Sequence, residues 1–332
     1  MSKSNLTKIS VIIPTRSRDL EVLPGAINSV AWVDDVLIAD SSVDDTGRQR
    51  VKKFAEENGA RYIYREYHYS ADFKNWAIPQ ARHDWILLLD SDEIVTDKLK
   101  KYIQKLFQKK EINEYDGYGI ARKHFFFGKF LRWGGRYPLY NIRLFKKKCR
   151  YEDRNVHAHI ILAKGKIKNI NPEHGDILHF SDRNYEQFFE RFARYSDYQA
   201  KYIQKMSQQR RNIRWKQFFG NFIYFKAAIK DIWFFIPGHS LWRFVWMYFI
   251  KLGFLDGLAG LQIATLYALQ DYVAQNKFYA QQGKLTWWRI YWQEKMIQGI
   301  STLFSDKETF LDAYEKYFPK IALKTQPIKK TV

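Results

Sequence analysis

Asp84–Glu93 reads DWILLLDSDE: an apolar run of strand length, Trp85–Leu89, that ends abruptly in the carboxylates of Asp90, Asp92 and Glu93. Consecutive apolar residues bounded by charged ones fit a strand buried on both faces. Towards the N-terminus lie three runs of the same kind: Ile9–Ile13 (ISVII), Val36–Ala39 (VLIA) and Arg61–Tyr64 (RYIY). The stretches between them, Leu20–Val30, Arg48–Asn58 and Ala71–Ala81, are long enough for crossover helices. This alternation predicts an α/β fold, a mixed and mostly parallel sheet flanked by helices on both faces.

Open parallel sheets bind ligands at the carboxyl ends of their strands. Those ends here are Pro14-Thr15-Arg16, Asp40-Ser41-Ser42 and Asp90-Ser91-Asp92-Glu93. An Asp-x-Asp pair at such an edge supplies hard oxygen ligands for Mg²⁺ or Mn²⁺, ions that keep waters and bind substrate diphosphates. Asp40 suits a ribose hydroxyl or a base, or else caps the turn into the next helix. Arg16 and Lys74 are placed to offset diphosphate charge, or to be solvated surface residues.

From Gly117 to Phe180 the pattern changes to strands or loops without intervening helices (Tyr118–Phe127, Ile142–Phe145, Ile160–Ile170), which predicts an antiparallel, acceptor-side part of a mixed sheet. A helix is expected to start near Ser181–Asp182, with Tyr185, Phe188, Phe192 and Tyr195 on one face. These features divide the chain into residues 1–180, a catalytic domain, and 181–332, a helical amphipathic extension. The extension holds the uncharged runs Phe218–Phe225, Ile232–Trp242, Phe244–Ile250 and Gly257–Gln270, the longest 14 residues. A spanning helix needs roughly 20 apolar residues, so no transmembrane segment is expected. Helices lying on a membrane surface fit better, with a buried aromatic helical core as the alternative. The tail Lys324–Val332 is expected to fray.

The net charge of +20 is uneven. Residues 1–200 carry 35 Lys/Arg against 27 Asp/Glu, or +8, and residues 201–332 carry 20 against 8, or +12. Seven of the eleven tryptophans fall in the second segment. Such a surface fits an anionic membrane or a nucleic acid. Nucleic acid is disfavoured because no RNP-like strand, helix-turn-helix or zinc spacing is present, and three carboxylate-bearing strand ends would go unexplained. A single cysteine, Cys149, allows no internal disulfide, and the start MSKSNLTKISVIIPT lacks a signal-peptide core. Both features point to a cytoplasmic protein, peripheral on the inner face of the membrane.

Ile9–Thr15 (ISVIIPT), Ala39–Thr46 (ADSSVDDT), Lys74-Asn75 and Asp84–Glu93 together resemble the family 2 glycosyltransferases of GT-A fold. Arg136–Phe145 (RYPLYNIRLF), Asn155-Val156-His157, Ile177–Phe180 (ILHF), Phe192–Tyr195 with Ala200, and Phe254–Ala264 (FLDGLAGLQIA) extend the resemblance over roughly residues 8–270. They are similar to the lipopolysaccharide-core and polysaccharide β-glucosyltransferase branch. The resemblance implies an inverting enzyme that moves a sugar from a nucleoside diphosphate donor, expected to be a UDP-sugar, to a hydroxyl of a lipid-linked or lipopolysaccharide-core glycan. It implies Pro14 and Thr15 around the base, Asp40 on the uridine, Asp90 on the ribose or donor sugar, and Asp92 on the metal. Arg16, Lys74, Asn75 and His179 complete the expected donor site. Arg143 is expected either on the diphosphate or paired with an acidic neighbour. Ser42 stands where the family usually has glycine, and Arg16 where Asn is usual.

An inverting transferase needs a base for the acceptor hydroxyl. The related branch often shows Val-His-Glu where this chain reads Val156-His157-Ala158. Asp153 is the first candidate in its place, then Glu152, with Glu93 and Glu173 as replacements. The missing Glu also leaves a non-catalytic scaffold binding sugars or protein partners as an alternative. His157, His159, His174 and His179 lack zinc-motif spacing.

Overall fold

The computed structural model describes residues 7–152, 160–161, 165–182, 185–209, 233, 236 and 238–282. Strands β1 (Thr7–Thr15), β2 (Val33–Asp40), β3 (Arg61–Tyr64) and β4 (Trp85–Leu88) form a parallel block in the order β3-β2-β1-β4. Helices α1 (Leu23–Ser29), α2 (Asp45–Glu57) and α3 (Ser70–Ala77) connect them. Alternate residues of each strand enter opposite layers. Ile9, Val11 and Ile13 of β1 pack with Trp85 and Leu87 of β4 against α1 and α2, while Ile12, Ile86 and Leu88 pack against Phe73 and Ala77 of α3. Consecutive apolar residues are therefore required, because both faces of the sheet are covered. Burying each such Leu or Ile contributes about 1.5–3 kcal/mol.

The helices begin and end within a few residues of expectation. The third is shorter, stopping at Ala77 before a 3-10 turn at Ile78–Gln80 that contains Pro79, which has no N–H to donate to a continuing helix.

Beyond β4 the chain adds β5 (Glu93–Val95), α4 (Asp97–Gln108), β6 (Gly117–Phe126), β7 (Lys129–Phe130), β8 (Leu139–Lys146), β9 (Arg150–Tyr151), β10 (Ile160–Ile161), β11 (Ile167–Asn169) and β12 (Ile177–Asp182). The sheet continues β4-β8-β6-β12-β5. The expected antiparallel half is only partly so. β8 pairs antiparallel with β4 and β6, but β11 and β12 join β6 in parallel. The stretch Ile160–Ile170 is not one strand: it is split into β10 and β11, with Gly165 at φ 68 between them. Ser181 and Asp182 belong to β12 and do not open the helix, which starts at Tyr185. Backbone pairing with β6 carries this strand on to Asp182.

The chain divides into two compact units, Met1–Arg183 with Met247–Leu261, and Asn184–Trp246 with Gln262–Val332. In the second, α5 (Tyr185–Gln209) buries Phe188, Phe192, Ser196, Ala200 and Ile203 along an i+4 line, so Tyr195, expected on that face, is 44% exposed. Ala200 and Ile203 pack against Ala274 and Phe278 of α7 (Leu258–Gln281). Asp271, also buried, accepts from Gln199 at 2.6 Å and from Arg243 of α6 (His239–Val245) at 2.9 Å. No helix among the described residues is long and apolar enough to cross a membrane. Phe218–Phe225 and the tail Lys324–Val332 lie outside the described residues.

Candidate active site

The parallel register brings Thr15, Asp40 and Tyr64 side by side at the carboxyl edge, with Leu89 hydrogen-bonded through its N–H to Ile12. Pro14 lies beside Ala39, and the Thr15 hydroxyl is buried without a partner among the described residues. Asp40 is fully buried. One carboxylate oxygen accepts from the Ser42 N–H (2.8 Å) and hydroxyl (2.6 Å), the other from the Tyr62 hydroxyl (2.9 Å). Burial, followed by that bond to Asp40, raises the Tyr62 phenol well above its ordinary value. The Ser42 hydroxyl also accepts from the Ser17 N–H at 2.8 Å, and the Ser41 N–H donates to the Thr15 carbonyl at 2.9 Å. The loops after β1 and β2 are thus stitched together. Arg16 is partly exposed and pairs with Asp19 at 3.6 Å.

At the end of β4 the acids have different surroundings. Arg143 of β8 is buried and donates to both Asp90 and Glu93, the latter at 2.6 Å. Arg122 of β6 reaches the same Glu93 oxygen at 3.1 Å. Of the two roles expected of Arg143, pairing with an acidic neighbour is the one seen. Lys74 stands 3.9 Å from Asp90 and over the ring of Tyr151. Burial works to raise the Asp90 pKa, but Arg143 and Lys74 outweigh it and hold the carboxyl far below its usual range. Glu93 has no exposed surface and is held by two arginines, so it is not placed to take a proton from an acceptor.

Asp92 points elsewhere. Its carboxylate lies 3.5 Å from Nε2 of His179, and Nδ1 of His179 lies 3.0 Å from Nδ1 of His124. The parallel pairing of β12 with β6 sets His179 beside His124. Burial, with Arg136 and His179 adding to it, pushes the His124 imidazole down to about 2, so it is neutral at pH 7. Among the described residues no three His, Cys, Asp or Glu side chains converge as a metal cage. The pair Asp92–His179 offers one carboxylate oxygen and one imidazole nitrogen; the carboxylate suits either Mn²⁺ or Mg²⁺, but the imidazole favours Mn²⁺ over Mg²⁺, which takes oxygen ligands.

Asn75 is engaged with the backbone of Tyr151. Its side chain donates to the Tyr151 carbonyl (3.0 Å) and accepts from the Tyr151 N–H (2.8 Å), clamping β9 just before Glu152. Asp153 and the segment Asn155–His159 lie outside the described residues. Glu173 sits on an exposed 3-10 turn (Pro172–His174), where His174 stacks on Tyr102. Arg122, His124 and Tyr62 were not singled out from sequence. Each acquires its role only through strand pairing.

Residues 10–167 match the profile described as Glycosyl transferase family 2. The chain carries a family 2 glycosyltransferase domain and is a glycosyltransferase. It is similar to uncharacterized glycosyltransferases of Rickettsia conorii (26% identical, 83% of this chain and 92% of the relative) and Rickettsia typhi (26% identical, 82% and 87%). Similar solved structures are more distant. One is Staphylococcus aureus TarS 1–349 (15% identity, 83% of this chain and 92% of that one, TM-score 0.37). Another is glucosyl-3-phosphoglycerate synthase from Mycobacterium tuberculosis in complex with Mn²⁺, UDP and glucosyl-3-phosphoglycerate (21% identity, 36% and 44%, TM-score 0.26).

Proposed function

We propose that this glycosyltransferase moves a sugar, with inversion, from a nucleoside diphosphate donor to a hydroxyl of a lipid-linked or lipopolysaccharide-core glycan at an anionic membrane surface. The observation that carries the reading is the division of labour at the end of β4. Asp90 is already neutralised by Arg143 and Lys74, while Asp92, among the described residues, has the imidazole of His179 beside it at 3.5 Å. UDP is the expected donor carrier, consistent with the UDP-bound relative above. Domain limits of 1–180 and 181–332, with Met247–Leu261 returning to the first unit, and a peripheral location on the inner membrane face belong to the same proposal.

Pro14, Thr15 and Asp40 border the place of the base and ribose, at the edge where parallel sheets bind nucleotides. Lys74 brings positive charge to the adjoining edge, where a diphosphate would lie, while Arg143 is taken up by Asp90 and Glu93. A divalent ion held by Asp92 and His179 would supply charge neutralisation for a departing diphosphate. If the Nδ1 proton of His179 is the one shared with His124, His179 would have Nε2 available to an ion at Asp92. His124 would then act as the partner that orients the ring. The acceptor base is assigned to Asp153 or Glu152, which follow the strand that Asn75 clamps.

Thermal melting with a panel of nucleoside diphosphates and nucleotide sugars, with and without Mn²⁺, tests this on wild type and Asp92→Ala. A ligand at a hundredfold excess over its Kd adds about 2.7 kcal/mol. The expected result is a metal-dependent rise with one nucleotide that Asp92→Ala abolishes. A rise that survives in Asp92→Ala would remove Asp92 from the site.

A further inference from the structure

We infer that Phe249–Leu258, together with the turn 128–136, forms a rigid hook on the catalytic unit that inserts into an anionic lipid monolayer. Six of these ten residues are large and apolar: Phe249, Ile250, Leu252, Phe254, Leu255 and Leu258. Each is exposed, between 39% and 69%. Isolated surface apolars are ordinary, but so dense a run in one turn marks an interaction surface.

The hook is held in shape from within. Asp256, the sole acid of the two segments, is buried. Its carboxylate accepts from the N–H groups of Arg132 (3.2 Å) and Trp133 (2.8 Å), and its carbonyl accepts from Lys129 (2.7 Å). The Gly134 N–H donates to the Lys251 carbonyl at 2.8 Å. Two glycines let the turn close tightly. A Cβ on Gly253 would come within 2.6 Å of the Met247 carbonyl oxygen, and one on Gly260 within 1.9 Å of the Gly253 oxygen. The sequence thus fixes this turn with a buried carboxylate and close backbone packing while holding its large apolar side chains outward.

Charge decides the occupant. The two segments carry Lys129, Arg132 and Lys251 against the buried Asp256, while Arg136 has its Nε buried and acts on His124. A second copy of the same face would set cations against cations. Anionic headgroups complement them, with apolar side chains reaching the acyl boundary and Lys and Arg at headgroup level. The inference deepens the membrane-side reading of the proposed function by placing the contact on the catalytic unit, and its test needs no donor.

Leu255→Cys, labelled with an environment-sensitive fluorophore, reads insertion directly, because the natural Cys149 is buried. Lys52→Cys on α2, also exposed, is the control. With vesicles of phosphatidylglycerol and phosphatidylcholine the Leu255 probe is expected to shift to the blue and the Lys52 probe to stay unchanged. Phosphatidylcholine vesicles alone, or high salt, should weaken the shift. In co-sedimentation, Ile250→Glu with Leu255→Glu is expected to lower vesicle partitioning at least tenfold, with an unchanged melting temperature. Vesicle binding without a Leu255 shift would assign the contact to another surface and overturn the hook. Absence of vesicle binding, or self-association lost in the double variant, would overturn it as well. The nucleotide melting shift, read on the same samples, reports separately on the donor site.

Discussion

Arg143 and Glu93, fifty residues apart in the chain, meet at 2.6 Å with both side chains almost wholly removed from water. β8 brings the guanidinium across the end of β4, where it also holds Asp90. Removing one partner of a buried pair leaves a charge without compensation, at a cost of about 3–5 kcal/mol. Arg143→Met is therefore expected to lower stability by that amount, moderated by Arg122 at 3.1 Å. Urea denaturation measures it, and a change under 1 kcal/mol would show that Arg122 alone suffices.

His124 touches His179 and not Asp92, so if the proposed ion is held by Asp92 and His179, its effect should be on metal affinity. Loss of a partner that orients a ligating histidine typically costs about 10–100-fold in metal affinity. His124→Phe should raise by that factor the Mn²⁺ concentration needed for the nucleotide-dependent melting shift. An unchanged titration would mean that His179 needs no orienting partner.

Asn75→Ala would free the Tyr151 backbone, which loses two hydrogen bonds. The stability cost should be about 1–3 kcal/mol. In a transfer assay kcat should fall while donor KM changes little, because the clamp acts on the strand leading to Glu152 and Asp153. A rise in donor KM at constant kcat would instead place Asn75 on the donor.

Asp35 lies away from the carboxyl edge, where it binds Ser10, Arg61 and the Arg82 N–H. Burial acts to raise its pKa, but these partners together bring it below the ordinary carboxylate value. A depressed folded-state pKa contributes stability above the unfolded value that is lost as pH falls through the folded one. Asp35→Asn should thus cost about 1.5–3 kcal/mol at pH 7, and the two melting curves should converge below pH 4. Parallel curves down to pH 3 would show that Asp35 is not the group responsible.

The parallel block was legible because both faces of β1, β2 and β4 are covered, so burial is written as consecutive apolar residues. The Asp-x-Asp at the end of β4 was legible for the same reason: a buried strand ending in acids marks a sheet edge. The partners of those acids were not. Glu93 belongs to a three-residue strand too short for any periodicity, held by β12 some eighty residues later. Arg122 and His124 look like ordinary strand residues until β8 and β12 fix what lies beside them. The expected stripe on α5 failed at Tyr195 because burial follows Ser196 and Ala200, small residues that close helix packing selects and that apolar pattern-reading passes over.

Ser42 gives the nucleotide edge a mechanical character. Its single hydroxyl accepts from Ser17 while donating to Asp40, so the two loops bordering the place of the base are riveted together. Neither can swing without breaking the other's bond. If the proposed donor site lies there, its two bordering loops are fixed relative to each other before any ligand arrives.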